Sequence, residues 1–154
     1  LSQRQLVETV RVVDEAVGRI RSAALAKSVM IVVGENPNLS VIGDRAQLVS
    51  AIGNLIDNAV KYSPQGSIVK VDVNRIESKV LISVSDNGPG ISAEHLGRVF
   101  ERFYRVDDAR SRGTGGTGLG LAIVRHIALL HGGDVSVTSE VGEGSTFTLA
   151  IPAV

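Results

Sequence analysis

Asp86-Asn87-Gly88-Pro89-Gly90 and, further along, Gly116-Thr117-Gly118-Leu119-Gly120 bracket the stretch that decides how this chain is read. An alternating run, Val80-Leu81-Ile82-Ser83-Val84, leads into the first turn and predicts a buried strand that delivers one carboxylate, Asp86, at its end. The second turn opens a helix predicted over about 117–130. Glycine permits positive φ and close backbone approach, so Gly116, Gly118 and Gly120 are expected to present N–H groups at the positive end of that helix. The pattern is that of a phosphate cradle.

A glycine-rich loop before a helix says little until spacing excludes the common alternatives. The Walker loop ends in Gly-Lys-Ser/Thr, and Gly118-Leu119-Gly120 carries no lysine. The dinucleotide fingerprint follows a first strand and precedes an acidic residue by about 20 positions. These glycines lie late in the chain and lead toward His126 and Asp134 instead. The charge partners must therefore come from elsewhere.

At 154 residues the chain is expected to form one domain over 1–154. Hydrophobic content of 44% with formal net charge +0 predicts a packed globule without an electrostatic footprint for nucleic acid. Cys is absent, which removes disulfide scaffolds and cysteine zinc sites and fits a reducing compartment. His95, His126 and His131 have no metal-ligand spacing, so no zinc is expected. The longest apolar runs, such as Val29-Met30-Ile31-Val32-Val33, fall well short of the roughly 20 residues that span a bilayer, and no membrane contact is expected of this stretch. A start at Leu1 without a signal pattern reads as a piece of a longer polypeptide.

In chain order, a short strand is expected within 6–12 and a helix over 13–27, where Ala16, Val17, Ile20 and Ala24 recur at helical spacing. A strand follows at 29–33, and Val41-Ile42 is a short strand at most. Asp44 with Gln47 resembles a capping box, and Leu48, Ile52, Leu55 and Ala59 keep a helical period to about Tyr62. Asn54, Asn58 and Lys61 fall in a narrow wedge away from that apolar stripe. A helix taken alone would present such residues as an ordinary solvated face. Asparagine is a poor helix former, however, so two on one stripe argue for another use. Strands at 68–73 and 80–85 form a hairpin turning near Glu77-Ser78, and Ser92 caps a short helix. Phe100, Phe103 and Tyr104 make a small aromatic anchor. The polar segment 107–115, with Arg105 just before it and Arg110 and Arg112 in it, reads as a lid that moves without ligand and closes over phosphates. Strands at 134–139 and 146–151 complete a mixed α/β order.

Taken together, these segments resemble the ATP-binding catalytic domain of bacterial sensor histidine kinases, within the wider group of gyrase, heat-shock chaperone and mismatch-repair ATPases. Asn54-Leu-Ile-Asp-Asn58-Ala-Val-Lys61-Tyr62 is similar to the N box and Asp86-Asn-Gly88-Pro-Gly90 to the first glycine box. Phe100-Glu-Arg-Phe103-Tyr-Arg105 is similar to the F box, Gly116-Thr-Gly118-Leu-Gly120-Leu to the second glycine box, and Gly142-Glu-Gly144-Ser-Thr146-Phe to the third. The elements stand in the family's order. The resemblance implies a two-layer α/β sandwich, a mixed sheet covered on one face by three helices.

The resemblance also implies roles. Asp86 would accept from the adenine amino group, with Thr146 assisting through water, while Gly88 and Gly90 shape the turn and Tyr62 and Ile91 pack on the purine. Asn54 and Asn58 belong to the N box, and Asn58 would bind Mg²⁺ through its amide oxygen. Asn58, Lys61 and Arg105 are the implied catalytic residues, the two cations facing the phosphates. Gly116, Thr117, Gly118, Leu119, Gly120 and Leu121 would cradle those phosphates. Where ATPase members of the group carry a water-activating Glu, this chain has Asn54, which cannot take a proton at neutral pH. Slow hydrolysis and transfer to a histidine on a separate dimerisation domain are therefore implied, with relay to a response regulator. None of His95-Leu96, His126-Ile127 or His131-Gly132 matches the family's acceptor segment. The isolated domain is expected to be a monomer from the cytoplasmic part of a membrane-bound sensor. An ATPase clamp, a nucleotide-sensing module and a serine kinase regulating sigma factors are the alternatives.

Overall fold

Along β5 (Lys79–Asp86) burial alternates: Val80, Ile82, Val84 and Asp86 are buried and the residues between them are more exposed. Period-two alternation turns one strand face to a core and the other to solvent. In the computed structural model, which describes residues 3–105 and 119–154, β5 is the middle strand of a five-stranded sheet. Beside it run β4 (Ile68–Ile76) and β7 (Gly144–Pro152), both antiparallel. The edges are β2 (Met30–Val33), parallel to β4, and β6 (Asp134–Glu140), antiparallel to β7. The parallel pair needs a crossover, and the chain supplies it through α2 (Arg45–Tyr62).

One face of the sheet is covered by helices. α2 packs between α1 (Thr9–Ala26) and α4 (Gly120–Leu130) and reaches β4, β5 and β7. Its N-terminus is set by Asp44, whose carboxylate accepts from Gln47 N at 3.1 Å, satisfying one of the first-turn donors. Leu48, Ile52, Leu55, Ile56 and Ala59 on α2 are fully buried against Val69, Val71 and Val73 of β4 and Phe147, Leu149 and Ile151 of β7, all in one core. Each of these Leu, Ile, Val and Phe side chains contributes about 1.5–3 kcal/mol of transfer free energy. The expected sandwich, a mixed sheet with helices on one face, is the fold observed.

The first strand and helix divide differently from the sequence reading. The strand β1 is only Gln5–Glu8 and the helix starts at Thr9, so most of the strand expected within 6–12 is helical. Val10, Val12 and Val13 are β-branched, but Val12, Val13, Ala16 and Val17 all bury on one helical face. Packing on α2 outweighs a propensity difference of a few tenths of a kcal/mol. Among the described residues the strand pairs only with β3 (Ser40–Gly43), forming a separate two-stranded sheet.

The β4–β5 hairpin turns at Glu77 and Ser78 as expected, with longer arms, and Glu77 takes the left-handed φ of 56° such tight turns demand. Ser92 stands at the N-cap of α3 (Ala93–Leu96), without a side-chain capping bond. The expected helix start at 117 and the proposed lid at 107–115 lie outside the described residues.

Candidate functional site

A cavity of about 540 Å³ opens between the C-terminal half of α2, the paired ends of β5 and β7, and the first turn of α4. That size suits a nucleotide-scale ligand. At about 100° per residue, Asn54, Asn58 and Lys61 share one stripe of α2. All three line the cavity, as does Tyr62, while Leu55, Ile56, Ala59 and Val60 face the core. The wedge expected from the sequence is thus a cavity wall. It has a fourth member that sequence reasoning missed, Asp57, which pairs with Lys61 Nζ at 3.0 Å. The signal was present, since Asp57 stands one turn before Lys61 and shares the stripe with Asn54.

Asp86 forms the floor. It is only 8% exposed, and its Oδ1 accepts the Gly88 N–H at 2.8 Å. Burial raises its pKa above the ordinary carboxylate value, opposed by the backbone N–H groups of Gly88 and Ser145. Gly88 does not itself line the cavity. It lies behind the wall, where a Cβ would come 2.6 Å from the Tyr62 carbonyl oxygen, so only glycine lets the turn pack against the end of α2. Gly90 does reach the cavity; its φ is +78°, and a Cβ there would be 2.2 Å from Glu140 O. The loop is tied down by Gly142 N–H to Pro89 O at 2.8 Å and by Ile91 N–H to Ser139 Oγ at 2.7 Å.

Thr146 is not in the cavity. It lies on the opposite, open face of the sheet, where its hydroxyl is 3.0 Å from that of Ser85. The hydroxyl on the cavity side belongs to Ser145, the register partner of Asp86. A strand alternates faces at every residue, so reading the third glycine box one position late moves the side chain through the sheet. Ser139 Oγ donates to Gly144 O at 2.8 Å and lies 2.8 Å from Ser145 Oγ. With its one proton so used, Ser139 accepts from Ser145, leaving Ser145 Oγ with acceptor capacity toward the cavity.

Ile91, Val99 and Phe147 supply the apolar wall, and Phe100 braces Phe147 edge-on with centroids 5.9 Å apart. Tyr104 and Arg105 stand at the rim. Tyr104 is held by a hydrogen bond with His95 Nδ1 and by Arg98, whose guanidinium sits 4.5 Å over its ring. From the α4 side come Leu119, Gly120 and Leu121. A Cβ on Gly120 would lie 3.7 Å from Asn54 Oδ1, so the two helices approach closely at this point. Gly116, Thr117 and Gly118, assigned to the phosphates, lie outside the described residues.

The donor set suits a hard divalent cation. The amides of Asn54 and Asn58 and the carboxylate of Asp57 project from one stripe, all oxygen donors. Among the described residues no three His, Cys, Asp or Glu side chains cluster, so such an ion would complete its shell with ligand oxygens and water.

Comparison with known proteins converges on one family. Residues 43–154 match the model for histidine kinase-, DNA gyrase B- and HSP90-like ATPases. The sensor-like histidine kinase SenX3 of Mycobacterium tuberculosis is 48% identical over 148 residues, 96% of this chain and 36% of that protein. The sensor histidine kinase WalK of Bacillus subtilis is 47% identical over 111 residues, 71% of this chain and 18% of that one. Among solved structures, the mycobacterial sensor histidine kinase MprB superposes with a TM-score of 0.86 at 31% identity, covering 98% of each chain. Full-length ShkA in complex with AMPPNP gives a TM-score of 0.87 at 28% identity, over 100% of this chain and 32% of that one. The chain therefore spans little more than a third of the SenX3 proteins it matches.

Proposed function

This chain belongs to the histidine kinase-, DNA gyrase B- and HSP90-like ATPase family, with the catalytic domains of sensor histidine kinases, and from that premise we propose that it binds Mg-ATP and transfers the γ-phosphoryl group to a histidine on a separate dimerisation domain. The observation that carries the reading is one cavity holding a buried carboxylate, Asp86, at one end and the amide and ammonium stripe of α2 at the other.

Each end has its task. Asp86 accepts from the exocyclic amine of adenine, and guanine, with a carbonyl there, is repelled. Ser145, in place of Thr146, is the hydroxyl acceptor beside it, directly or through a water. Tyr62, Ile91 and Phe147 bracket the purine. Asn58, with Asn54 and Asp57 on the same stripe, would hold the magnesium ion. Bound there, that ion supplies positive charge to the phosphate oxygens. Lys61 and Arg105 add charge to the same phosphates, and the glycine-rich sequence from Gly116 to Leu121 would add backbone donors. In the transfer, the bond from the γ-phosphorus to the β–γ bridging oxygen breaks as one to the acceptor imidazole nitrogen forms, and ADP leaves. The protein contributes position and charge.

Asn54, where a hydrolase of this group would carry a general base, favours transfer over hydrolysis. We read residues 1–154 as one such domain, monomeric in isolation, acting in a cytoplasmic setting and passing the phosphoryl group on through a response regulator. The test is incubation with γ-labelled ATP and separately supplied acceptors. Acid-labile label on a helical-hairpin domain bearing a histidine supports the reading; label only on a serine protein, or only free phosphate, overturns it.

A further inference from the structure

We propose that Lys27, which lies outside the cavity, is a positioning residue for the nucleotide site: it ties the C-terminal carbonyls of α2 and so holds the turn that carries Asn58, Lys61 and Tyr62. The inference rests on the nucleotide-binding reading of that cavity.

A helix leaves its last carbonyls without intrahelical partners at its C-terminus. In α2 no glycine follows the last turn; Ser63 is extended, with φ −78° and ψ 138°, and Pro64 comes next. Other groups must satisfy those carbonyls. Ser63 Oγ donates to Ala59 O at 2.7 Å and Ser63 N–H to Val60 O at 3.3 Å. The Lys27 ammonium donates to Val60 O at 2.9 Å and also to Lys61 O. The Tyr62 carbonyl lies against the Gly88 backbone, at the turn whose N–H holds Asp86. One ammonium thus anchors the segment between the phosphate end of the cavity, at Lys61, and the adenine end, at Asp86.

Lys27 is the C-cap residue of α1, and no residue of that helix lines the cavity. An ammonium at a helix C-terminus is favoured by the dipole, and its bonds to carbonyls are charge-assisted. Burial lowers its pKa from the ordinary lysine value, the mark of hydration given up to reach these two oxygens. The alternative geometry, Lys27 extended into solvent, would leave Val60 O with one long bond from Ser63.

Lys27→Met and Lys27→Arg test the assignment, with Mg-AMPPNP titrated calorimetrically and amide exchange read at residues 61–63. Both variants are compared with the parent at a temperature where circular dichroism finds each fully folded. Lys27→Met should bind Mg-AMPPNP about tenfold more weakly, with faster exchange at 61–63, and Lys27→Arg should recover to within about threefold of the parent, because it restores a charged donor. Unchanged affinity in folded Lys27→Met, or equal loss in both variants, overturns the proposal. If the parent itself fails to bind Mg-AMPPNP, the nucleotide reading falls and this inference with it, which separates that failure from a failure of Lys27 alone.

Discussion

Asp86 and Ser145 face each other as register partners at the end of the β5–β7 ladder, both buried on the helix-covered side of the sheet. Thr146, the next residue, faces the other way and pairs with Ser85. Ser145→Ala should therefore weaken ATP binding by about fivefold, the worth of one ordinary hydrogen bond near 1 kcal/mol. Thr146→Val should leave affinity within about twofold, because it removes only a hydroxyl contact on the open face. Equilibrium titration with a fluorescent ATP analogue measures both, and the reverse order would restore Thr146 to the site.

Asp86→Asn should relax the preference for ATP over GTP, since an amide presents a donor as well as an acceptor. It should also change how the unliganded protein responds to pH. Burial raises the folded-state pKa of Asp86, so the folded chain holds that proton more tightly than the unfolded chain does. Stability is then lost as pH rises from the unfolded carboxylate value through the folded one, and stays lower above it. The variant should lack this decline. Urea midpoints between pH 4 and 7, and competition between ATP and GTP, check the two halves independently.

Asn58→Ala should abolish magnesium-dependent nucleotide binding while changing stability little. The residue is half-buried on the cavity stripe and away from the core contacts of Leu55 and Ala59. Truncations at such positions usually fall within about 0.5 kcal/mol. Isothermal titration with and without magnesium, set beside a thermal melt, makes the comparison; a large drop in melting temperature would point to a structural role instead.

His131→Ala should do the opposite. His131 is 5% exposed, with Nδ1 donating to Ile127 O at 2.8 Å and Nε2 accepting from Asp44 N–H at 3.0 Å. It links the end of α4 to the cap of α2. Its loss leaves a backbone donor unpaired and should cost about 1–3 kcal/mol of folding stability, with ATP affinity in the folded protein unchanged. Chemical denaturation reads the first and titration the second.

The chain alone, given labelled ATP, should remain unlabelled. His131 is committed on both nitrogens, His95 is bonded to Tyr104, and His126 lies about 9 Å along α4 from Gly120 at ~1.5 Å per residue. A nucleophile must come within about 3–3.5 Å of the phosphorus. Acid-labile label on any of the three, found by peptide mapping, would place the acceptor within this chain.

What the sequence determined by itself was the architecture and most of one wall of the site. The alternation of Val80 to Val84 fixed which strand ends on Asp86, and the spacing of Asn54, Asn58 and Lys61 against Leu48, Ile52 and Leu55 fixed two faces of α2, because both periods are properties of local backbone geometry. Tertiary structure decided what locality could not. Valines at 10, 12 and 13 favour a strand until α2 offers them a helical face to bury. Ser145 rather than Thr146 reaches the cavity because it shares the buried face of β7 with Phe147, Leu149 and Ile151, an alternation already legible in the sequence, whereas only the pairing of β7 with β5 sets Ser145 opposite Asp86. Lys27 acquires its partners at Val60 and Lys61 solely because α1 packs beside α2, a contact between residues distant in the chain that no local pattern encodes.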